Sequence, residues 1–248
     1  MTSYQLYYAP GACSLTAHAA LVWLSAKGLA RYTAHKLLLP QGDQRKAEYL
    51  AINPRGKVPA LMLADGTVLT ETLAILRYLH ATHPEAALLP GDVLAEARGW
   101  EWLSWLSSAV QSHAFMLVFY PQRFVPDEAG QAALEAHGRT LLQQHWADLE
   151  SRLPTEGFAL GPRRESHGGN DGFSLVDVHL TVFYRWAKRY GFKPQQHYPC
   201  WAALTARTLA QPVMAATLAA ENVNLRDALP ARAAHLWPIP PDSMQGSP

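Results

Sequence analysis

The sequence has little net charge and few cysteines. Its 21 basic and 20 acidic side chains leave a formal charge of +1, so the chain has no strong field to attract nucleic acid or an anionic membrane surface. The cysteines are Cys13 and Cys200 alone, and neither belongs to a Cys-X-X-Cys pair or a Cys/His cluster. The sequence therefore excludes a disulfide-dense scaffold and predicts no metal site.

Long apolar runs are also missing. No run approaches the roughly 18 consecutive apolar residues that a membrane span requires. The N-terminus has no basic region followed by an apolar stretch, so no secretory leader is expected. Hydrophobic residues still make up 49% of the chain and charged residues 17%, which is enough to build packed cores. We therefore expect a folded, cytoplasmic protein.

The first third of the chain alternates short strand and helix patterns, separated by turn signals such as 9–11 (APG) and 65–66 (DG). Strands are predicted at 4–8, 32–39, 58–63 and 67–69, and helices at 14–27, 44–51 and 72–81. The resulting order, β-α-β-α-β-β-α, is the thioredoxin-like order. It predicts one compact α/β sheet covered by helices.

The rest of the chain shows only helical patterns. Helices are predicted at 93–119, 127–153, 175–190, 201–210 and 213–220. Residues 174–177 (SLVD) form a capping box, which predicts where the helix at 175–190 begins. We therefore predict a thioredoxin-like domain at 1–84, an all-α domain at 93–228 and a C-terminal tail at 229–248.

Cys13 is the sharpest functional candidate. It follows the first turn and precedes the first predicted helix, where unpaired backbone N–H groups and the helix dipole favour a thiolate. The adjacent Ser14 would donate a hydrogen bond to a bound sulfur or cap the helix. The alternative is a small buried cysteine beside an ordinary cap.

Two further polar segments are candidate binding elements. In residues 53–59 (NPRGKVP), a cis bond before Pro59 would expose the backbone N–H and C=O of Val58 to a peptide-like ligand. At 69–72 (LTET), the Glu71 carboxylate suits an ammonium group, while Thr72 and the helix N-terminus suit a carboxylate. One short zwitterionic ligand would use both. A plain turn and simple helix capping are the alternatives.

Three motifs occur in the order and at the spacing of one family: 7–14 (YYAPGACS), 51–61 (AINPRGKVPAL) and 69–75 (LTETLAI). Together they resemble the glutathione transferases, and most closely the bacterial beta class. The resemblance covers essentially the whole N-terminal domain. It implies a thioredoxin-like domain followed by an all-helical one, glutathione as co-substrate and a homodimer.

The resemblance also implies roles for single residues. Cys13 would face the glutathione sulfur and form a mixed disulfide with it, and Tyr8 and Ser14 would lie near that sulfur. Val58 would form backbone hydrogen bonds with the cysteinyl part of glutathione. Glu71 and Thr72 would hold the γ-glutamyl end. The implied glutathione-binding residues are Ala12, Lys57, Val58, Pro59, Glu71 and Thr72.

One feature of the beta class is absent. The class often has a histidine followed closely by a lysine in the long helix that faces the cleft. Here Ser112 stands at the expected position, His113 is shifted by about one residue, and no lysine follows. His113 would enter the cleft or lie in the core or on the surface. The aromatic residues of the same helix would line an apolar pocket or pack the core, with core packing favoured.

The primary prediction for function is transfer of the glutathione thiolate to an electrophilic, hydrophobic small molecule. Glutathione-dependent disulfide or peroxide reduction through Cys13 is an alternative. Isomerase, dehalogenase or ether-cleaving chemistry on the same scaffold is another. A catalytically silent binding protein of the same fold is the last, and the missing histidine–lysine pair mildly favours it.

Overall fold

A single four-stranded sheet forms the centre of the first third of the chain. The computed structural model describes residues 1–161 and 172–224. The strands are β1 (Thr2–Tyr8), β2 (Ala30–Lys36), β3 (Ala60–Met62) and β4 (Val68–Thr70). Their order is β2-β1-β3-β4; β1 and β2 are parallel, and the other two pairs are antiparallel. This mixed sheet confirms the predicted thioredoxin-like fold.

Alternation along β1 explains how the sheet finds its core face. Tyr4, Leu6 and Tyr8 are buried, whereas Ser3 and Gln5 are exposed. Because successive strand residues point to opposite faces, this pattern places one apolar face of the strand against the helices. Tyr4 donates or accepts a hydrogen bond of 2.9 Å with His83 across that core.

Three α-helices accompany the sheet: α1 (Ser14–Ala26), α2 (Ala47–Leu50) and α3 (Thr72–Thr82). Helix α1 is buried on almost every side over residues 14–21. The sheet and α3 cover part of it, and two helices of the second half of the chain cover the rest. A helix that is apolar or small all round suits such a central position.

The described residues of the second half of the chain form helices joined by turns and short loops, and contain no strand. Its helices are α4 (Val93–Trp105), α5 (Met116–Phe119), α6 (Glu128–Arg152), α7 (Leu175–Arg189), α8 (Pro194–His197), α9 (Pro199–Leu209) and α10 (Pro212–Glu221). Residues Leu106–Phe115 wind as a π-helix and join α4 to α5 without a break. The helical half is confirmed, but the π winding and the short α8 were not predicted.

Helix α7 passes through the middle of this half and begins at the predicted capping box. The Ser174 hydroxyl caps the helix, and the Asp177 carboxylate accepts from the Ser174 N–H at 2.8 Å. Asp177 also accepts from the Ala159 N–H at 2.8 Å. Burial raises the pKa of Asp177 to about 6. The buried box therefore fixes both the start of α7 and the segment that precedes it.

Several local predictions need correction. Strand β2 ends at Lys36, and Leu39–Gln41 turns as a 3-10 helix, because Pro40 cannot donate to a sheet ladder. The expected helix at 44–51 is a 3-10 turn, Asp43–Arg45, followed by the single-turn α2. Leu88 and Leu89, in the predicted linker, are buried, and the Leu88 carbonyl accepts from the Leu175 N–H. This connection is therefore packed against α7.

The described residues contain neither a membrane-spanning helix nor a cluster of metal-binding side chains. No helix in this part of the chain is both long and apolar enough to cross a membrane. Over residues 1–161 and 172–224, no three His, Cys, Asp or Glu side chains gather in the manner of a metal site. The predicted tail at 229–248 lies outside the described residues. The domain boundaries proposed from the sequence stay predictions.

Candidate functional site

The turn between β1 and α1 is held from both sides of its Gly11 peptide. The Gly11 N–H donates to Glu221 Oε2 at 2.7 Å. The Gly11 carbonyl accepts from Arg185 Nη1 at 2.9 Å and from Trp186 Nε1 at 3.1 Å. Helices α7 and α10 of the second half therefore position the backbone just before Cys13.

Only glycine suits position 11. Its φ of +64° lies in the left-handed region that favours glycine. A Cβ atom added there would lie 2.5 Å from Arg185 Cζ, far inside van der Waals contact. The close approach of the Arg185 guanidinium to this turn thus depends on the missing side chain.

The Cys13 thiol lies at the first turn of α1 and points towards the second polar segment. Its Sγ donates to the Val58 carbonyl at 3.6 Å. Burial raises the pKa of Cys13, and this effect outweighs hydrogen bonds from Gln111, Thr72 and the Ser14 backbone, which lower it. The expected thiolate is therefore not favoured, because loss of solvent outweighs the helix N-terminus.

Val58 lies just before β3, an interior strand of the sheet. The Val58–Pro59 peptide bond is cis, as the sequence-based prediction required. The preceding Lys57 carbonyl accepts from the Tyr49 hydroxyl at 2.5 Å and from Asn53 Nδ2 at 2.6 Å. Within the described part of the chain, the Val58 N–H has no hydrogen-bond partner. Internal hydrogen bonds thus fix the turn, while the Val58 N–H stays available to a ligand.

Glu71 and Thr72 lie at the start of α3. Glu71 is exposed and has a φ of +69°, a conformation that costs a non-glycine residue about 1–3 kcal/mol. No side chain caps the N-terminus of α3, so its first N–H groups are free of a side-chain acceptor. The Thr72 hydroxyl reaches Cys13. Strain and an uncapped helix coincide beside the candidate cysteine, as is common at binding sites.

A cleft with a volume of about 1290 Å³ separates the two halves of the chain. From the first half it is lined by 9–13, 37–40, 44–45, 50 and 55–58. From the helical half it is lined by 111–112, 116, 118–124, 131, 185–186 and 189–190. The predicted residues Ala12, Cys13, Lys57, Val58 and Ser112 are among them. Pro59, Glu71 and Thr72 are not.

Of the three positions left open for His113, the structure shows the one on the surface. His113 is exposed and lies near His145 of α6. The pKa of His145 is lowered mainly by burial, and the neighbouring His113 contributes to the lowering. It does not line the cleft. Gln111, which sequence reasoning missed, lines the cleft and reaches the Cys13 thiol. The π winding of this segment changes which side chains face the cleft relative to an ordinary α-helix.

Most aromatic side chains of the same helix pack away from the cleft. Trp102 and Phe115 are buried in the helical core, and Trp105 packs edge-on against His145. Phe119 and Tyr120, at the end of this helix, line the cleft. Core packing was the favoured alternative and accounts for the others.

Tyr8 and Ser14 do not face the thiol as expected. Tyr8 is buried, its ring packs 4.7 Å from that of His18, and burial raises its pKa. The Ser14 hydroxyl is fully buried and exchanges hydrogen bonds with the N–H and carbonyl of Ala9 at 3.1 and 3.2 Å. Both contacts favour a structural role in shaping the turn before Cys13.

The fold and the site together define a class of protein in which a thioredoxin-like half and a helical half enclose a cleft with a cysteine at its base. Residues 13–82 match the profile of the family described as "Glutathione S-transferase, N-terminal domain". The chain is 31% identical to glutathione S-transferase GstA of Escherichia coli O157:H7, over 88% of this chain and 99% of that protein. The chain therefore belongs to the glutathione transferase family and is an enzyme of that family.

Solved structures agree. A glutathione transferase homolog from Sulfitobacter with bound glutathione has a TM-score of 0.77 at 27% identity, and covers 90% of this chain and 100% of that one. A bacterial beta-class glutathione S-transferase of Sphingomonas chungbukensis has a TM-score of 0.69 at 31% identity, and the match covers 89% of this chain and 100% of that one. A maleylacetoacetate isomerase of Pseudomonas aeruginosa is 37% identical, but over only 34% of this chain and 41% of its own.

Proposed function

We propose that this chain binds glutathione beside Cys13 and adds the glutathione thiolate to an electrophilic, hydrophobic small molecule. One observation carries the proposal: the Cys13 thiol, which lines the cleft, donates to the Val58 carbonyl and lies beside the Thr72 side chain at the start of α3. The glutathione bound in the Sulfitobacter relative supports the same ligand here.

Glutathione has a carboxylate and an ammonium group at its γ-glutamyl end and an amide backbone at its cysteinyl centre. The free Val58 N–H suits an antiparallel backbone pair with the cysteinyl part. The exposed Glu71 carboxylate suits the ammonium group, and Thr72 with the uncapped start of α3 suits the carboxylate. Of the other predicted ligands, Ala12 and Lys57 line the cleft and Pro59 fixes the Val58 turn.

The chemical step is attack by the glutathione thiolate on the electrophilic atom. A sulfur–carbon bond forms, the thiol proton goes to solvent, and the leaving group departs or the acceptor takes a proton. Donors beside the sulfur need to lower its pKa by between one and two units, which corresponds to roughly 2 kcal/mol. Gln111, Thr72 and the start of α1 are the donors that surround this corner.

Thiol–disulfide exchange through Cys13 is the second candidate, because the thiol lies at the corner where the glutathione sulfur would bind. Its raised pKa disfavours this candidate at neutral pH, since the thiolate is the attacking species. Glutathione-dependent isomerisation is a third, supported by the partial match to a maleylacetoacetate isomerase. The beta class remains the subclass that we propose, with a cytoplasmic homodimer as its form.

Calorimetry of glutathione binding tests the central proposal. We expect the wild-type protein to bind glutathione and the Glu71→Gln variant to bind it at least tenfold more weakly, because the ammonium group loses its counter-charge. Glu48→Gln removes an equally exposed carboxylate from α2, away from the cleft, and should bind as wild type does. Failure of the wild-type protein to bind glutathione would overturn the proposal.

Light scattering tests the assembly. A homodimer has twice the mass of one chain in solution, at concentrations well above the dissociation constant. A mass equal to one chain under those conditions would contradict the proposed dimer and leave the glutathione site unaffected.

A further inference from the structure

The cleft is strongly biased towards positive charge. Its described lining contains six basic residues and neither Asp nor Glu; the six are Arg45, Arg55, Lys57, Arg123, Arg185 and Arg189. The whole chain, in contrast, has almost equal numbers of basic and acidic side chains. A lining of this size with the composition of the whole chain would hold two or three acidic residues and about as many basic ones. The bias therefore belongs to the cleft and not to the composition.

The six cations form two groups. Arg45, Arg55 and Lys57 lie on the sheet side of the cleft. There they would face the carboxylates of glutathione in its proposed site. Arg123, Arg185 and Arg189 lie on the helical side, where the second substrate would bind. The cations of the helical side therefore need an explanation of their own.

No ion pair neutralises the helical group in the described part of the chain. The Arg123 guanidinium stacks over the Tyr120 ring at 4.1 Å, which orients it without neutralising it. Arg185 donates through Nη1 to the Gly11 carbonyl, and its Nε is buried without a hydrogen-bond partner. Arg189 belongs to no salt bridge of the described residues.

Two of these guanidinium groups, those of Arg185 and Arg189, also repel one another. Burial and the charge of Arg189 together lower the pKa of Arg185 to about 10, although Glu221 opposes the shift. Glu221 is already committed to the Gly11 N–H and to His18. A cluster of like charges in a partly desolvated cleft is unfavourable without an anion. A ligand that brings one would relieve this repulsion.

Apolar groups surround the same cations. The Phe119 and Tyr190 rings stack at 4.3 Å on the cleft wall, and Phe124 is a large apolar side chain left 54% exposed at the cleft. The wall therefore combines flat apolar surface with guanidinium groups. That combination fits a molecule with an apolar body and an acidic end.

We propose that the second substrate is an apolar electrophile carrying a carboxylate, which Arg123 and Arg189 bind on the helical wall of the cleft. The planar guanidinium matches a carboxylate in a way that an ammonium does not. This inference rests on the proposed function and narrows its substrate class from hydrophobic molecules to acidic ones. Arg185 is excluded from the ligand set because its Nη1 already holds the turn at Gly11.

A matched pair of probes tests the proposal: the chlorodinitrobenzoate whose chloride lies para to the carboxylate, and its methyl ester. In both, the glutathione sulfur bonds to the ring carbon, chloride leaves, and the thiol proton goes to the buffer. Each kcat/KM is divided by the rate of the uncatalysed reaction. We expect the wild-type enzyme to prefer the acid by about tenfold or more, the effect of one charge-assisted contact.

The variants locate the effect. Arg189→Gln and Arg123→Gln should each lower the preference for the acid about tenfold while changing the rate with the ester little. Lys188→Gln removes the neighbouring cation of α7, which does not line the cleft, and should keep the wild-type preference. Equal use of acid and ester by the wild-type enzyme, or a preference that survives both arginine variants, would overturn the inference.

Binding measurements keep the result decisive if neither probe is turned over. Dinitrobenzoate and its methyl ester, which have no leaving group, are titrated into the glutathione-loaded protein by calorimetry. Preferential binding of the acid that Arg189→Gln removes would support the inference, and absence of such preference would overturn it. Glutathione binding measured in parallel reports separately on the proposed function, since it should be unchanged in Arg189→Gln.

Discussion

Two opposing effects act on the Cys13 thiol. The start of α1 and hydrogen bonds from Gln111 and Thr72 stabilise a thiolate, but removal of the sulfur from solvent raises the pKa of Cys13 overall. A thiol that stays protonated at neutral pH is a poor nucleophile and a usable hydrogen-bond donor. Cys13 is therefore better suited to contact a glutathione sulfur than to attack a disulfide.

Replacement of Cys13 distinguishes these roles. We expect Cys13→Ser to lose most disulfide-reductase activity with a mixed glutathione disulfide, because serine cannot exchange, and to keep conjugation within about tenfold, because a hydroxyl still donates. Cys200→Ser is the control, since Cys200 lies at the start of α9 and away from the cleft. Conjugation that falls by several orders of magnitude in Cys13→Ser would contradict the assignment.

At the scale of secondary-structure elements, local signals predicted much of the site. The turn at 9–11, the cis bond before Pro59 and the break before Thr72 are each encoded within a few residues, and all three meet as expected. The face of the long helix was not predictable in this way. Its π winding depends on packing around Leu106–Phe115, and helical periodicity assumes 3.6 residues per turn.

The π segment leads to a direct comparison of two neighbouring residues. We expect Gln111→Leu to raise the pKa of Cys13, because the thiolate loses a hydrogen-bond donor. His113→Ala, on the other face, should leave that pKa unchanged. The rate of Cys13 alkylation by iodoacetamide as a function of pH measures it, in a Cys200→Ser background. A larger shift in His113→Ala than in Gln111→Leu would show that His113 acts on the cleft after all.

Buried polar contacts between helices were also beyond local prediction. His179 of α7 shares a hydrogen bond of 2.8 Å with the Thr16 hydroxyl of α1. Its Nε2 is buried without a partner, and burial lowers the pKa of His179 to about 3. Nothing in the sequence around position 179 marks it, because the contact joins residues that are 163 positions apart.

This histidine predicts acid sensitivity. Between about pH 6.5 and pH 3 the unfolded chain takes up a proton at His179 that the folded chain does not, so stability falls as the pH falls. We expect His179→Gln, which keeps a hydrogen-bond partner for Thr16, to weaken this dependence by close to one proton. Urea unfolding across the range measures it. Parallel curves for both proteins would refute the prediction.

Asp177 acts in the opposite direction and must be separated from this effect. Because its folded pKa is raised to about 6, the folded chain holds a proton at Asp177 that the unfolded chain releases between about pH 4 and pH 6. Its contribution to stability therefore falls as the pH rises through that window. The difference between wild type and His179→Gln cancels it, since both proteins retain Asp177.

At the scale of the whole molecule, each half of the chain completes the other. The sheet half provides the turn at Gly11, the Cys13 thiol and the Val58 backbone. Helices α7 and α10 hold that turn in place through the side chains of Arg185, Trp186 and Glu221. The sequence predicted both halves but not this tie, because Glu221 is 210 residues from its partner Gly11. No local pattern encodes a contact at that separation.

Glu221 joins the two halves through two buried hydrogen bonds, so its replacement tests this contact directly. Its carboxylate is buried and accepts from both the Gly11 N–H and His18 Nδ1, at 2.7 and 2.9 Å. Glu221→Ala would leave the Gly11 N–H and His18 Nδ1 buried without their acceptor, at a cost of about 1–3 kcal/mol for each group. We expect lower stability to urea and weaker glutathione binding, because the Cys13 turn loses its anchor. Glu221→Gln, which keeps an acceptor for Gly11, should retain more of both.

A second carboxylate separates positioning from general destabilisation. Glu150 accepts from the N–H groups of Cys200 and Trp201 at the start of α9, so Glu150→Ala also removes a carboxylate acceptor, which is partly buried and lies away from the cleft. Measured under conditions where each variant is folded, Glu150→Ala should bind glutathione as wild type does and Glu221→Ala should not. If both bound glutathione normally, α10 would stabilise the fold without positioning the site. A difference in glutathione binding between the two variants would show that α10 positions the Cys13 turn for glutathione without contacting the ligand itself.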